Sequence, residues 1–146
     1  MNIKQRDSNE LSYQVKDIAL AADVSTDAVR YYTKSGLLKP TRNKNNQYKL
    51  YNHNDLVRLQ FIRRAKTLGY SISEIKKILG DSEKGKSPCP RVRHIIENKI
   101  TANKQHLIET LALQKRMEKA LKIWQGLPDG IPVGDSICHL IEQVTK

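Results

Sequence analysis

Two cysteines carry the most distinctive chemistry in this 146-residue sequence. Cys89 stands between two prolines at the expected N-cap of a long helix, and Cys138 stands in the expected first turn of the last helix. A helix N-terminus favours the thiolate over the thiol, and the thiolate is the form that binds soft metals and reacts with oxidants. This placement predicts a thiol-based sensing site whose signal is a metal ion or an oxidant.

Three further side chains near the cysteines would complete a metal site. His94 and His139 offer nitrogen and Asp135 offers oxygen, with an ordinary surface role as the alternative for each histidine. Two sulfurs alone suit linear mercury(II) or copper(I), and added histidine suits tetrahedral zinc or cadmium. Two cysteines are too few for an iron–sulfur cluster. A disulfide between subunits and an organic inducer stay as alternatives, and no organic cofactor is expected.

Positive charge is concentrated in one part of the chain. Residues 30–66 contain ten Lys and Arg residues against one acid, Asp55, in a chain of net charge +11. Such a surface attracts polyanions, because phosphate contacts release condensed counterions. The stretch predicts binding to nucleic acid, and a basic surface that serves only solubility is the alternative.

Several functional classes find no support in the sequence. No apolar run approaches the roughly 20 residues that span a bilayer, and residues 1–10 lack the apolar region of a signal peptide. No nucleophile–base pair, paired carboxylates or phosphate-binding glycine loop occurs at a recognisable spacing. We therefore predict a cytoplasmic protein that is not an enzyme and has no membrane partner.

The N-terminal half predicts the elements that would present the basic residues. Apolar positions from Val15 to Ala22 share one helical face, Ser25 is a suitable N-cap, and Gly36 ends a second helix that begins at Thr26. This is a helix-turn-helix pattern. A turn-rich stretch and the alternating residues 48–51 predict a small β-hairpin, or wing. Two more helices, 54–68 and 71–79, each end at a glycine, and Ser71 with Glu74 predicts a capping box at the start of the second.

A long helix follows. Residues 91–124 contain neither Gly nor Pro, and their apolar positions recur at alternating spacings of four and three with polar interruptions. This is the pattern of a coiled-coil seam, and a second copy of the same helix, parallel or antiparallel, would cover it. Packing against the chain's own head is the alternative. The predicted parts are a flexible arm 1–12, a winged helix-turn-helix head 13–80, a linker 81–90, a coiled-coil helix 91–125 and an effector loop with a short helix 126–146.

These motifs together resemble the MerR family of transcription regulators. The resemblance lies in residues 24–32, Val-Ser-Thr-Asp-Ala-Val-Arg-Tyr-Tyr, and in Gly-Leu-Leu-Lys-Pro at 36–40, Tyr-Lys-Leu-Tyr at 48–51 and Ser-Ile-Ser-Glu-Ile at 71–75. The linker, long helix and C-terminal cysteine loop are similar to the heavy-metal-responsive branch. Three features depart from the family pattern: Gln47 replaces a wing glycine, Thr33 replaces a glutamate, and a further cysteine near residues 124–129 is missing.

The resemblance implies a mainly α fold and a homodimer joined by an antiparallel coiled coil. It implies that Cys89 of one subunit meets Cys138 of the other around an effector metal such as zinc, cadmium, mercury, lead or copper(I). It also implies binding to double-stranded promoter DNA whose two promoter elements are spaced too far apart for RNA polymerase, with the effector-bound dimer distorting that DNA. A purely architectural DNA-binding protein is the rival, although it leaves the cysteines unexplained.

The expected DNA contacts follow from helix-turn-helix docking, in which the second helix presents its N-terminal residues to base edges. Arg30 is the best candidate for a bidentate contact with guanine or phosphate. Tyrosine hydroxyls and further basic residues would hold the phosphates, with core packing as the alternative for Tyr51. The full predicted set is Ser25, Thr26, Asp27, Arg30, Tyr31, Arg42, Tyr48, Lys49, Tyr51, Arg63 and Lys66.

Overall fold

The computed structural model describes residues 12–144, so the expected arm lies outside the described residues except for Ser12. Within this part the chain is mainly helical, which confirms the predicted fold class of a winged helix-turn-helix head and a long helix. The described residues divide into two compact units, 12–96 and 97–144. The elements are α1 (Val15–Ala22), α2 (Thr26–Lys34), β1 (Thr41–Arg42), β2 (Lys49–Leu50), α3 (His53–Thr67), α4 (Ile72–Glu83), α5 (Cys89–Trp124) and α6 (His139–Glu142).

Helices α1 and α2 form the predicted helix-turn-helix. The turn between them begins at Asp23, whose φ of 56° ends α1 in the left-handed conformation. The Ser25 hydroxyl then accepts a hydrogen bond from the Ala28 amide at 3.0 Å, which satisfies one of the unpaired donors at the start of α2. Ile18 and Val29 are fully buried, so each helix contributes its apolar face to one core.

The wing is held to the head by Tyr51. Strands β1 and β2 are antiparallel, and Thr41 pairs with Leu50. The next residue, Tyr51, exchanges two backbone hydrogen bonds of 2.7 Å with Tyr13. Its hydroxyl lies 2.7 Å from that of Thr33, which donates to the Val29 carbonyl at 2.8 Å. Because the Thr33 hydroxyl donates its hydrogen to Val29, the Tyr51 hydroxyl is the donor in its bond with Thr33.

Buried Asp55 fixes the start of α3. Its Oδ2 accepts from the Asn52 amide at 3.0 Å, and the Asn52 side chain accepts from the Asp55 amide at 2.9 Å, which completes a capping box. Its Oδ1 also accepts from the Lys39 amide, 3.4 Å away, just before the wing. The one acid of the basic stretch therefore stabilises the head.

The predicted end of α4 at Gly80 is wrong. The predicted capping box at Ser71 and Glu74 is present. However, α4 continues through Gly80 to Glu83. Because α5 begins at Cys89, the connection between the two helices is only residues 84–88. The added turn places the Asp81 carboxylate 2.6 and 3.2 Å from two Arg91 nitrogens. This bidentate pair lowers the pKa of Asp81, chiefly through the hydrogen bonds from Arg91.

The first turns of α5 belong to the head. The Tyr70 hydroxyl donates to the Val92 carbonyl at 2.7 Å, and Val92, Ile95 and Ile96 pack against the core. Along its whole length α5 has no fully buried residue, and Ile100, Leu107, Leu111, Met117 and Leu121 are at least half exposed. No helix in the described part of the chain is both long enough and apolar enough to cross a membrane.

Replacing Tyr51 with phenylalanine should destabilise the head. The Tyr51→Phe change removes one buried hydrogen bond and keeps the ring, so the free energy of unfolding should fall by about 1 kcal/mol in urea titrations. The matched control is Tyr48→Phe, because the Tyr48 ring is 62% exposed. Equal stability of Tyr51→Phe and the unmodified protein would contradict the assigned role.

The Asp81–Arg91 pair predicts a pH-dependent contribution to stability. A carboxylate whose pKa lies below its ordinary value of 3.8 stabilises the fold above that value, and the contribution is lost as the pH falls through the lower folded pKa. Asp81→Asn should therefore lower the melting temperature at neutral pH, and the difference should vanish in strong acid. Asp129→Asn, in an exposed loop, is the control. A difference that is constant with pH would rule out the ion pair as its source.

Candidate nucleic-acid interface and effector site

A groove of about 500 Å³ unites the start of α1, the recognition helix α2 and the wing. It brings together four of the residues predicted to contact DNA, and all of its charged lining residues are basic. The lining residues are Gln14, Val15, Lys16, Thr26, Arg30, Tyr48 and Lys49. Sequence reasoning missed Gln14 and Lys16, because they precede the recognition helix and lie outside the basic stretch. The polar residues at the start of α1 could have indicated these contacts, because the first helix of a helix-turn-helix crosses the DNA backbone.

Arg30 reaches solvent while it is oriented by its own helix. Its guanidinium lies 3.3 Å from the Asp27 carboxylate, and the two side chains are 63% and 95% exposed. An ion pair this exposed contributes little stability. Arg30 can therefore exchange the carboxylate for a phosphate or a guanine edge.

The tyrosines divide into surface and core residues. Tyr31 and Tyr48 are 57% and 62% exposed, which suits hydroxyl contacts with phosphate. The neighbouring Tyr32 is partly buried, and burial, followed by its proximity to Tyr31, raises its pKa. Tyr51 is only 1% exposed and its hydroxyl is bonded to Thr33, so the expected DNA contact of Tyr51 is wrong.

The remaining predicted basic residues lie outside this groove. Arg63 is bonded to Asp23 at 3.1 Å, which places it at the turn of the helix-turn-helix motif, and it keeps 48% of its side chain exposed. Arg42 and Lys66 are exposed on the wing and on α3. These three are accessible to phosphates, while Ser25 acts as the N-cap of α2.

The Cys89 thiol is accessible at the start of α5. Cys89 is exposed and is the first residue of the helix, so α5 begins one residue earlier than predicted, when Cys89 was expected to be the N-cap. Its amide donates to the Ser87 hydroxyl at 3.4 Å. His94, one and a half turns further along α5, is also exposed. Both residues belong to the first unit.

Cys138 lies in a segment that folds back on Glu142. The predicted last helix, expected to include Cys138 in its first turn, is limited to His139–Glu142, because residues 136–138 donate to the Glu142 carboxylate and do not form helix. Cys138 is the extended N-cap residue and is partly exposed. The Ile137 amide, and then the Ser136 hydroxyl, lower the pKa of Glu142.

His139 stabilises the C-terminal loop. Its Nε2 lies 3.0 Å from the Pro128 carbonyl and therefore donates, which leaves Nδ1 to accept from Gln143 at 3.4 Å. The ring packs so closely on Gly130 that a Cβ there would lie 2.2 Å from Cδ2. Both nitrogens are engaged in hydrogen bonds, so His139 has a structural role in this loop, and binding a metal ion would require one of these bonds to break.

The predicted metal ligands are divided between the two units of the chain. Cys138 and the exposed Asp135 belong to the second unit, whereas Cys89 and His94 belong to the first. Within residues 12–144 no group of three His, Cys, Asp or Glu side chains is arranged to hold a metal ion.

Comparisons with known proteins match both parts of the chain. The family described as MerR HTH family regulatory protein matches residues 13–81, and the one described as MerR, DNA binding matches residues 56–120. The heavy metal-dependent transcription regulator 2 of Rhizobium meliloti is 30% identical, over 90% of this chain and 86% of its own. The chain belongs to the MerR family.

Two further proteins are similar to this chain over most of its length. The mercuric resistance operon regulatory protein of Bacillus cereus is 28% identical over 93% of this chain and 99% of its own. The regulator PbrR691 of Ralstonia metallidurans, solved with lead(II), shares the fold with a TM-score of 0.67 and 21% identity, covering 89% of this chain and 97% of its own. The protein is therefore a DNA-binding transcription regulator, and MerR regulators are not enzymes.

Arg30→Ala should weaken DNA binding without unfolding the head. Loss of the guanidinium group should reduce the affinity for the protein's own operator by about 1–3 kcal/mol. It should also lower the slope of log affinity against log salt concentration by about one. Fluorescence anisotropy with operator DNA measures both quantities. Lys104→Ala, which removes the same charge from exposed α5, is the control, and equal effects from the two variants would overturn the role of Arg30.

Proposed function

We propose that this regulator is a homodimer that senses a thiophilic metal ion, held by Cys89 of one subunit and Cys138 of the other. The observation that carries the proposal is the pair of free thiols, each at a helix start, in a structure whose residues 12–144 contain no group of three donor side chains arranged to hold a metal ion. The relatives named as a heavy metal-dependent and a mercuric resistance regulator support a metal as the effector.

The long helix supports the dimer. Helix α5 has 36 residues, about 54 Å, and most of its apolar side chains beyond the head are exposed. A second α5 would bury them. In an antiparallel pair, the start of one helix lies beside the end of the other, so Cys89 approaches the loop that follows the partner helix. A parallel pair would separate these two positions by the helix length.

The donor types fit thiophilic ions. Two thiolates suffice for linear mercury(II) or copper(I), while zinc, cadmium or lead would draw further ligands, of which His94 and Asp135 are the exposed candidates. A bound metal would supply a link between the two subunits. With DNA in the basic groove, the metal-bound dimer would distort an over-spaced promoter so that RNA polymerase can use both of its elements.

Metal titrations of the reduced dimer test the effector. Zinc, cadmium, mercury, lead and copper(I) are compared, with Cys89→Ser/Cys138→Ser as the control. We expect tight binding by the unmodified protein, loss of binding in the double variant, and retention of its operator affinity. Equal binding by both proteins would contradict metal sensing, and a reversible disulfide between subunits would then be sought by non-reducing electrophoresis.

Mixed dimers test whether the site is shared between subunits. In a heterodimer of a Cys89→Ser chain and a Cys138→Ser chain, one site keeps both thiols and the other keeps neither. A shared site predicts that each variant homodimer fails to bind tightly and that the heterodimer binds one metal ion, half the normal number. A heterodimer that binds none would place both ligands within one chain.

A further inference from the structure

One carboxylate holds the segment that carries Cys138. Oε1 of Glu142 accepts from the Ile137 amide at 2.6 Å and from the Cys138 amide at 3.3 Å, and Oε2 accepts from the Ser136 hydroxyl at 2.7 Å. Three consecutive residues, the last of them the cysteine, therefore converge on a single side chain. Charge-assisted hydrogen bonds of this kind are about twice as strong as neutral ones.

Other contacts fix the surroundings of this segment. The Trp124 indole donates to the Leu140 carbonyl at 3.0 Å, which ties the last helix to the end of α5. His139 donates to the Pro128 carbonyl at 3.0 Å. These bonds hold the residues after Cys138 and the loop before it, whereas Glu142 holds residues 136–138 themselves. The backbone position of the thiol therefore depends on Glu142.

We propose that Glu142 is a positioning residue of the effector site, which sets the backbone of Cys138 so that its thiolate meets a metal ion without reordering the loop. The inference rests on the proposed function, because it takes Cys138 as a ligand. Groups that orient metal ligands affect affinity although they do not touch the metal. The carboxylate also places negative charge near the site, which favours a cation.

Cadmium(II) binding to the full-length dimer tests this role, because thiolate-to-cadmium charge-transfer absorption reports on the ligands directly. Glu142→Ala should weaken binding about 10- to 100-fold. Glu142→Gln should give an intermediate affinity, because its Oε1 still accepts from both amides and its amide nitrogen can donate to Ser136. Glu109→Ala is the control, since this exposed carboxylate bonds to the Gln105 side chain at 3.1 Å.

Alkylation of the metal-free protein by iodoacetamide gives a second readout. Release of residues 136–138 in Glu142→Ala should expose the Cys138 thiol and speed its alkylation, while Cys89 in the same molecule reacts at an unchanged rate. General loss of structure would accelerate both cysteines and reduce operator binding. The two peptides are separated and quantified by mass spectrometry.

The outcomes distinguish this inference from the proposed function. Tight cadmium binding that Glu142→Ala leaves unchanged, or unchanged alkylation of Cys138, overturns the role of Glu142 and leaves the metal sensor intact. Absence of cadmium binding in the unmodified protein counts against the sensor itself. Weaker binding, faster Cys138 alkylation and partial rescue by Glu142→Gln together establish the positioning role.

Discussion

The organisation of this protein depends on a helix that is too long for the core beside it. In the first two turns of α5, Val92, Ile95 and Ile96 pack on the head, and Tyr70 bonds to the backbone there. The rest of the helix leaves large apolar side chains such as Leu107 and Leu121 more than half exposed. Because hydrophobic burial is the main favourable term in folding, these exposed apolar side chains would be stabilised by a partner surface that covers them. The proposed effector site follows from the same constraint, because pairing of two such helices would bring the cysteines of different chains together.

Local signals in the sequence were sufficient for most of the head. The N-cap at Ser25, the capping box at Ser71 and the left-handed Gly36 each depend on residues within a few positions, and all occur as predicted. Gly80 shows the limit of such reasoning. A glycine in a helix costs about 1 kcal/mol, and long-range partners outweigh that cost here, since the added turn gives Arg91 and Arg58 their carboxylates.

The candidate sites were harder to predict because they depend on contacts between distant segments. The hydroxyl of Tyr51 looked suited to phosphate, but it is bonded to Thr33, eighteen positions earlier. The same bond accounts for Thr33 at a position where the family usually has glutamate. His139 was predicted as a metal ligand, and the fold also bonds its ring to the Pro128 carbonyl and packs it on Gly130. Residue type indicated the chemistry in each case, and the fold decided whether the group was available for it.

The capping boxes of α3 and α4 also bear on how the head folds. Each is closed by residues three positions apart, Asn52 with Asp55 and Ser71 with Glu74. Contacts this local form early, because little chain entropy is lost in closing them, and helical proteins rich in them fold in microseconds to milliseconds. Synthesis proceeds at about 5–20 residues per second, so the head can be folded before the end of α5 leaves the ribosome. Assembly of the regulator would then be limited by the meeting of two chains and would scale with the amount of protein made.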